Sequence, residues 1–134
     1  MVRSGESGDP LTVAHVLVID DDPLFREIAE EILTQAGHVV ILADDGANAS
    51  LVPDEPAPEL AVVDMLMPER DGIETIGDLQ ARWPGIKVIA VSSGARGLEP
   101  GLLLRAAKAL GADATLPKPL EREGFLQLVR SLVG

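Results

Sequence analysis

The segment Val16-Leu17-Val18-Ile19-Asp20-Asp21-Asp22-Pro23 decides the fold class. Its first four residues form a short apolar run, which is typical of a strand buried on both faces of a parallel sheet. Asp22 followed by Pro23 then predicts the start of a helix, with Asp22 as the N-cap and proline at the first helical position. A buried strand that leads directly into a helix indicates an α/β protein.

Three further apolar runs, at residues 60–63, 88–91 and 114–117, also end in polar side chains. The polar residues that follow them are Asp64, then Ser92 with Ser93, then Lys118. We predict strands over 15–20, 39–43, 60–64, 87–92 and 114–116, and helices over 23–36, 47–52, 73–83, 102–110 and 120–133. This alternation predicts a (βα)5 protein with a parallel sheet. Prolines at 53, 56 and 58 end the second helix early, and the Gly-rich segment 94–101 is expected to be a loop.

The composition limits the classes of function. The 134 residues suffice for one domain, and 22 acidic residues against 11 basic ones give a formal net charge of -11. Such an excess of negative charge repels phosphate backbones and anionic lipid, so we expect no nucleic-acid or membrane partner. The absence of Cys excludes disulfides, thiol catalysis and thiolate zinc sites.

The chain shows no targeting or membrane segment by its sequence. Residues 1–13 lack the apolar stretch of a signal peptide and are expected to form a disordered tail, with the domain over 14–134. No apolar run approaches the length of a membrane span, so we expect a cytoplasmic protein. His15 and His38 each lie at the start of a predicted strand, His38 just before residue 39, at the sheet edge opposite the acids, and are interpreted as polar residues at strand entrances.

The acids at the strand ends indicate a site for a divalent metal and a phosphoryl group. Neighbouring carboxylates near a surface repel each other by about 1 kcal/mol or more. Mg²⁺ relieves such repulsion, because it takes one or two carboxylates and keeps several waters, so we predict that Asp20 and Asp21 bind it. Asp64 can then act as a nucleophile toward phosphorus, and the loop 65–68 can present a backbone carbonyl to the same ion.

Ser92 and Lys118 supply the groups that an aspartyl phosphate needs. A hydroxyl and an ammonium can both contact phosphoryl oxygens, and the backbone N–H of Ser93 can add a third donor. Taken singly, each residue has a simpler reading as a solvated or loop-capping group. In this order, at these strand ends, the set predicts phosphoryl chemistry.

The chain resembles the receiver domain of two-component response regulators, of the single-domain type. The resemblance rests on residues 16–23, on 62–68 with Asp71-Gly72, on Ser92, and on 116–119, and covers about residues 15–133. It implies a flavodoxin-like, doubly wound sheet in the order 2-1-3-4-5 with the site at the carboxyl ends of the strands. It also implies a cis bond between Lys118 and Pro119.

The resemblance implies a role for each site residue. Asp64 would be the phosphoacceptor, with Mg²⁺, or alternatively Mn²⁺, held by Asp20, Asp21, Asp64 and the backbone carbonyl of Leu66. Ser92 would report phosphorylation and Lys118 would contact the acyl phosphate. The implied protein is a signalling switch of a two-component system or phosphorelay that promotes its own phosphorylation and dephosphorylation, and is not a conventional enzyme.

The resemblance also implies the partners. The donor would be a phosphohistidine on a sensor histidine kinase or a histidine phosphotransfer protein. Output would pass through contact with a further protein, and the chain would be a monomer or weak dimer.

Three features depart from the family pattern. Thr115 stands where many receivers carry Tyr or Phe, so the inward swing of that aromatic residue cannot operate. The stretch from Ser92 to Gly111 is about four residues longer than usual, with the excess before the fourth helix. The prolines after Val52 shorten the second helix or replace it with an extended loop.

Two other functions remain open from the residues. In a haloacid-dehalogenase-like phosphatase, Asp20 would be the nucleophile of an Asp-x-Asp motif formed with Asp22, and Asp64 would be incidental. In a receiver-like scaffold, the acids would never be phosphorylated. The residue that takes up a phosphoryl group distinguishes the three.

Overall fold

The computed structural model describes residues 13–65, 72–92, 100–109 and 111–133. Within these ranges, five strands form one parallel sheet: β1 (His15–Ile19), β2 (Val39–Ala43), β3 (Leu60–Asp64), β4 (Lys87–Ser92) and β5 (Ala114–Pro117). Their spatial order is β2-β1-β3-β4-β5. The predicted fold class and strand order are therefore confirmed.

Helices follow the strands in sequence. They are α1 (Pro23–Gln35), α2 (Gly46–Ala49), α3 (Gly72–Arg82), α4 (Pro100–Ala109) and α5 (Arg122–Val133). The sheet lies between two apolar layers, because alternate residues of each central strand point to opposite faces. Phe25, Leu33 and Phe125 belong to the layer on the α1 and α5 side. Leu17, Ile76 and Leu79 belong to the other layer, which includes residues of α2, α3 and α4.

The start of α1 is as predicted. Asp22 is the N-cap, its side chain accepts a hydrogen bond from the N–H of Leu24, and Pro23 occupies the first turn. Gly37, just after the helix, has φ +98°, a conformation that glycine adopts without strain. The capping role therefore removes Asp22 from the set of acids that are available to a metal.

The helices α2, α4 and α5 each begin at a residue other than the one predicted. The helix α2 begins at Gly46 rather than at 47, because Asp45 caps its start by accepting a hydrogen bond from the N–H of Asn48, and it ends at Ala49 rather than at 52. The helix α4 begins at Pro100 rather than at 102, since proline is favoured in a first turn. The helix α5 begins at 122 rather than 120.

The later start of α5 has a local cause. The side chain of Glu121 accepts hydrogen bonds from the backbone N–H groups of Glu123 and Gly124, at 3.3 and 2.8 Å. These N–H groups lie in the first turn of α5 and have no partner within the helix. Glu121 therefore caps the start of α5, although the sequence pattern had predicted that it lies within the helix.

Some predicted segments lie outside the described residues. Residues 1–12 of the predicted tail 1–13 lie outside the described residues, and so do residues 94–99 of the predicted loop 94–101. In the described ranges, no helix combines the length and the apolar character that a membrane span requires.

Candidate functional site

The carboxylates of Asp20, Asp21 and Asp64 lie together at the carboxyl edge of the sheet. Asp20 directly follows β1, and Asp64 is the last residue of the neighbouring strand β3. One carboxylate oxygen from each of the three residues lies within 4.8 Å of the others. Asp20 is 0% exposed and Asp64 is 4% exposed, whereas Asp21 is exposed to solvent. The three acids predicted to share a metal are therefore brought together.

Several hydrogen bonds fix Asp20. Its Oδ1 accepts a hydrogen bond from the N–H of Asp22 at 2.9 Å. Its backbone N–H donates to the carbonyl of Ala43, at the end of β2, at 3.2 Å. Its own carbonyl accepts from Nη1 of Arg26 at 2.7 Å. These contacts hold the carboxylate in place through both the sheet and the first turn of α1.

Lys118, which directly follows β5, reaches the same acids. Its Nζ lies 2.7 Å from Oδ2 of Asp20 and 3.7 Å from Oδ2 of Asp64, and its side chain is 16% exposed. The peptide bond between Lys118 and Pro119 is cis, as the resemblance implied. The ammonium therefore lies between the two buried carboxylates.

Ser92 ends β4 and is fully buried. Its backbone carbonyl accepts a hydrogen bond from the N–H of Lys118 at 3.0 Å, so the ends of β4 and β5 are tied together beside the acids. The structure thus places Ser92 at the same sheet edge as Asp64. Ser93 and Leu66, the two residues expected to contribute backbone groups, lie outside the described residues.

The electrostatics of Asp20 reflect its burial. Burial raises the pKa of the Asp20 carboxyl above its ordinary value, while the nearby Lys118 ammonium and the N–H of Asp22 act in the opposite direction. Within the described part of the chain, Oδ2 of Asp20 receives no hydrogen bond of normal geometry, although the Lys118 ammonium is close to it. A second cation near Oδ2 would favour the charged form further.

The residues present fit a hard divalent cation. Carboxylate oxygens are the ligands that Mg²⁺ prefers, and the exposed Asp21 leaves room for the waters that this ion keeps. The buried Oδ2 of Asp20 is an acceptor with an incomplete hydrogen-bond shell. Asp20, Asp21 and Asp64 would therefore hold the ion, and the described residues include no His or Cys in this cluster.

Comparison with known families decides the classification. Residues 16–130 match the response regulator receiver domain family. The chain belongs to this family. Receiver domains act in two-component signal transduction, so the predicted receiver-domain identity is confirmed, whereas the single-domain type stays a prediction.

Two curated relatives illustrate the similarity of this receiver domain to others. It is 31% identical over 116 residues to the transcriptional regulatory protein GlrR of Escherichia coli (strain K12). The aligned region covers 87% of this chain and 25% of GlrR. It is 32% identical over 124 residues to the response regulator MprA of Mycobacterium ulcerans, and this alignment covers 88% of this chain and 49% of MprA. The chain thus spans about a quarter to a half of these relatives. Since one of them is named for transcriptional regulation, the absence of a nucleic-acid partner stays a prediction.

Solved structures share the fold of the receiver domain. The chemotaxis protein CheY4 of Vibrio cholerae superposes with a TM-score of 0.78 at 24% identity, covering 90% of this chain and 99% of CheY4. A CheY-like receiver domain protein from Methanospirillum hungatei JF-1 gives a TM-score of 0.76 at 26% identity, covering 90% of this chain and 93% of that protein. The order and direction of the strands are therefore those of a CheY-like fold.

Sequence reasoning missed three residues that shape the receiver site. Arg26 binds the carbonyl of Asp20 through its guanidinium. The ring of Phe25 lies against the Lys118 ammonium, with 4.5 Å from Nζ to the ring centroid. Gly72 begins α3 directly against the backbone of Asp64. The Asp-Gly pair at 71–72 was a visible signal for a close approach, whereas the periodicity of α1 gave no sign of the contact between Phe25 and Lys118.

Proposed function

We propose that this receiver domain is a phosphoryl-accepting switch in which Asp64 takes a phosphoryl group from a phosphohistidine of a partner protein. The observation that carries the proposal is the arrangement of three carboxylates within 4.8 Å of one another, with an ammonium 2.7 and 3.7 Å from two of them. Carboxylates alone would repel a phosphoryl group. The combination of acids with a fixed cation suits both a metal and a phosphorylated carboxylate.

The transfer is a displacement at phosphorus. An oxygen of Asp64 forms the new O–P bond while the P–N bond to the donor histidine breaks, and the electron pair of that bond returns to the imidazole. Mg²⁺ held by Asp20, Asp21 and Asp64 would neutralise charge on the phosphoryl oxygens. The Lys118 ammonium, 3.7 Å from Oδ2 of Asp64, is close enough to contact an oxygen of the group once it is attached.

Ser92 supplies the link to a change of state. Its position at the end of β4 places its side chain at the sheet edge that would carry the acyl phosphate. A hydroxyl that hydrogen-bonds to the phosphoryl group favours one conformation of the following segment over another, which is a shift of population. We propose that this shift alters contact with a downstream protein, and that the domain promotes both gain and loss of its phosphoryl group.

An apolar groove beside the site supports a protein as the donor. Leu24 and Ile28, on the first two turns of α1, are 60% and 41% exposed. They line a groove with Pro119 and Leu120, and Lys118 forms part of the same groove. A sensor histidine kinase or a histidine phosphotransfer protein that carries its histidine to Asp64 would cover this surface. A phosphotransfer profile against the histidine kinases of the source organism tests this part of the proposal.

Mass spectrometry after incubation with acetyl phosphate and Mg²⁺ tests the chemistry. We expect the wild type to gain one phosphoryl group and Asp64→Asn to gain none, because the amide is not a nucleophile toward phosphorus. Asp22→Asn is the matched control, since asparagine is also a good N-cap and should preserve α1. This control should be phosphorylated at the rate of the wild type.

The site of the label separates the alternatives. A phosphoryl group on Asp20 that persists in Asp64→Asn supports the phosphatase-like function. No phosphoryl group on the wild type, with either acetyl phosphate or a phosphorylated kinase, supports a scaffold that is not phosphorylated. Either result contradicts the proposed function.

A further inference from the structure

We propose that Phe25 is a positioning residue for Lys118, and that the face of its ring holds the ammonium over Asp20 and Asp64. The inference rests on the proposed function, because it concerns the group that would contact the phosphoryl oxygens. It assigns a role to a residue on α1 that otherwise belongs only to the apolar layer on the α1 and α5 side of the sheet. The role requires no contact of Phe25 with a metal or a phosphoryl group, because the ring acts through Lys118.

The geometry of the contact is that of a cation–π interaction. Nζ of Lys118 lies 4.5 Å from the centroid of the Phe25 ring, within the roughly 6 Å over which a ring face attracts a cation. Phe25 is 6% exposed and the Lys118 side chain is 16% exposed, so water is largely excluded from the contact. Exclusion of water strengthens such an interaction, since the competing hydration of the ammonium is reduced.

Both partners are held by their backbones. Phe25 lies in the first turn of α1, which is fixed by the Asp22 cap and by Pro23. The backbone N–H of Lys118 donates to the carbonyl of Ser92. The flexible part of the contact is therefore the four-carbon stem of the lysine, whose ammonium could otherwise turn toward solvent.

The ring supplies an attraction that does not depend on Asp20. In the structure Lys118 pairs most closely with Oδ2 of Asp20, an atom that would also serve as a metal ligand. A divalent cation at Asp20 would repel the ammonium and weaken that pairing. The uncharged ring still attracts the ammonium when Asp20 binds a cation. It would therefore keep the ammonium beside Asp64 in that state.

The first experiment measures the exposure of Lys118 without any metal or phosphoryl donor. An amine-reactive acylating reagent is applied, and the rate of modification of each lysine is followed by peptide mass spectrometry. The chain has three lysines, and the other two, Lys87 and Lys108, are exposed and serve as internal references. We expect Phe25→Leu to raise the rate at Lys118 by roughly 2- to 30-fold, the range that corresponds to loss of a cation–π contact.

Matched variants separate the ring from packing. Phe25→Tyr keeps an aromatic face and should leave the Lys118 rate near that of the wild type. Phe125→Leu removes the other buried Phe of the same apolar layer, and among the described residues no cation contacts its ring. It controls for general loosening of the core, and should leave the Lys118 rate unchanged. Thermal melts check that each variant is folded, and Phe25→Trp replaces Phe25→Tyr if the latter does not fold.

The second experiment measures the initial rate of phosphorylation by acetyl phosphate at saturating Mg²⁺. A small donor is chosen because Phe25 also lines the groove beside the site, where substitution could disturb the docking of a protein donor. We expect a decrease of roughly 2- to 30-fold in Phe25→Leu, and a rate within about 2-fold of the wild type in Phe25→Tyr.

The outcomes distinguish this inference from the proposed function. If the wild type is phosphorylated and Phe25→Leu matches it in either experiment, the positioning role is wrong while the proposed function stands. The role is also wrong if Phe25→Tyr behaves like Phe25→Leu, or if Phe125→Leu changes Lys118 to the same extent. If the wild type takes up no phosphoryl group, the proposed function fails and the positioning role fails with it.

Discussion

Gly72 shows how a single backbone atom can constrain the site. An ideal Cβ at this position would lie 2.6 Å from the carbonyl oxygen of Asp64 and 2.7 Å from Cα of Met65. Both are backbone atoms, which cannot move without displacing the end of β3. The N–H of Gly72 also donates to the carbonyl of Met65 at 3.3 Å. Glycine as the first residue of α3 therefore lets the helix start this close to the candidate phosphoacceptor without displacing the backbone after β3.

We expect Gly72→Ala to lower the free energy of unfolding by about 1–3 kcal/mol, because the added methyl overpacks against backbone. Urea unfolding measures this change. Gly77→Ala, in the same helix, is the control, since a Cβ at Gly77 meets nothing within 4 Å. That substitution should stabilise the protein by about 0.5–1 kcal/mol through helix propensity. Equal effects of the two substitutions would show that the close approach at Gly72 does not matter.

The sequence predicts the positions of the site acids better than the contacts of the residues around them. Asp20 and Asp64 could be placed together from sequence, because the ends of adjacent parallel strands must meet at one edge of the sheet. The contact of Phe25 with Lys118 depends on the rotation of α1 about its axis and on the path of the chain after β5. Neither quantity is encoded in a local pattern, so both had to come from the folded structure.

Among the elements, α2 is the most unusual, and Arg82 explains how so short a helix is held. The helix ends at Ala49, and the chain then continues through three prolines to β3. The guanidinium of Arg82 hydrogen-bonds to the backbone carbonyls of Ala49, Ser50 and Val52. Its Nε donates to the carboxylate of Asp54 at 2.8 Å. One side chain of α3 thus hydrogen-bonds to backbone carbonyls at the end of α2 and just beyond it, where a helix leaves carbonyls without a partner of its own.

The same cluster includes the single tryptophan. The Arg82 guanidinium lies 4.1 Å from the centroid of the Trp83 ring, and the indole N–H donates to the carbonyl of Asp54 at 3.3 Å. Trp83 lies eleven residues beyond the first residue of α3, or roughly 16 Å along the helix axis. Its fluorescence should therefore report on the segment 50–58 and respond weakly to Mg²⁺ at the acids.

We expect Arg82→Lys to change the Trp83 emission and to lower the free energy of unfolding by about 1–2 kcal/mol. Lysine keeps the positive charge, but its ammonium lacks the planar set of N–H donors with which the guanidinium hydrogen-bonds to several carbonyls at once. Arg105→Lys, at an exposed position of α4, is the control and should change neither quantity. A strong quench of the wild-type emission by Mg²⁺ would contradict the placement of Trp83 away from the site.

The length of α2 illustrates why element boundaries are harder to predict than element order. Residues 47–52 include good helix formers, and local propensity alone continues the helix beyond Ala49. The contacts of Arg82 come from a helix more than thirty positions later in the chain. The order of elements, in contrast, follows from buried apolar runs that repeat along the whole sequence.

For the molecule as a whole, the two edges of the sheet carry different titratable groups. The acids lie at the carboxyl edge, while His38 lies at the amino edge, just before β2. His38 is 8% exposed, and its Nδ1 accepts a hydrogen bond from the backbone N–H of Ala14 at 3.1 Å. Burial lowers the pKa of His38 below its ordinary value, with Glu59 opposing the change and Arg130 adding to it. The neutral imidazole therefore holds the start of β1 against the start of β2.

This arrangement makes stability depend on pH at the amino edge. Because the pKa of His38 is lower in the folded than in the unfolded protein, the unfolded state binds the proton more tightly. The contribution of His38 to stability is therefore complete above the unfolded pKa of about 6.5, and decreases as the pH falls from there toward the folded pKa. Protonation also places a hydrogen on Nδ1, which can then no longer accept from Ala14.

We expect His38→Asn to reduce the loss of thermal stability on acidification. The amide oxygen of asparagine can replace Nδ1 as the acceptor for Ala14, but it does not titrate in this range. The melting temperature of each protein is measured between pH 7.5 and pH 5.5, and the wild type should lose more than the variant. Comparing the two proteins removes the contribution of the many carboxylates, which both share. Parallel melting curves over this range would contradict the role of His38, because its lowered pKa requires the wild type to lose stability that the variant keeps.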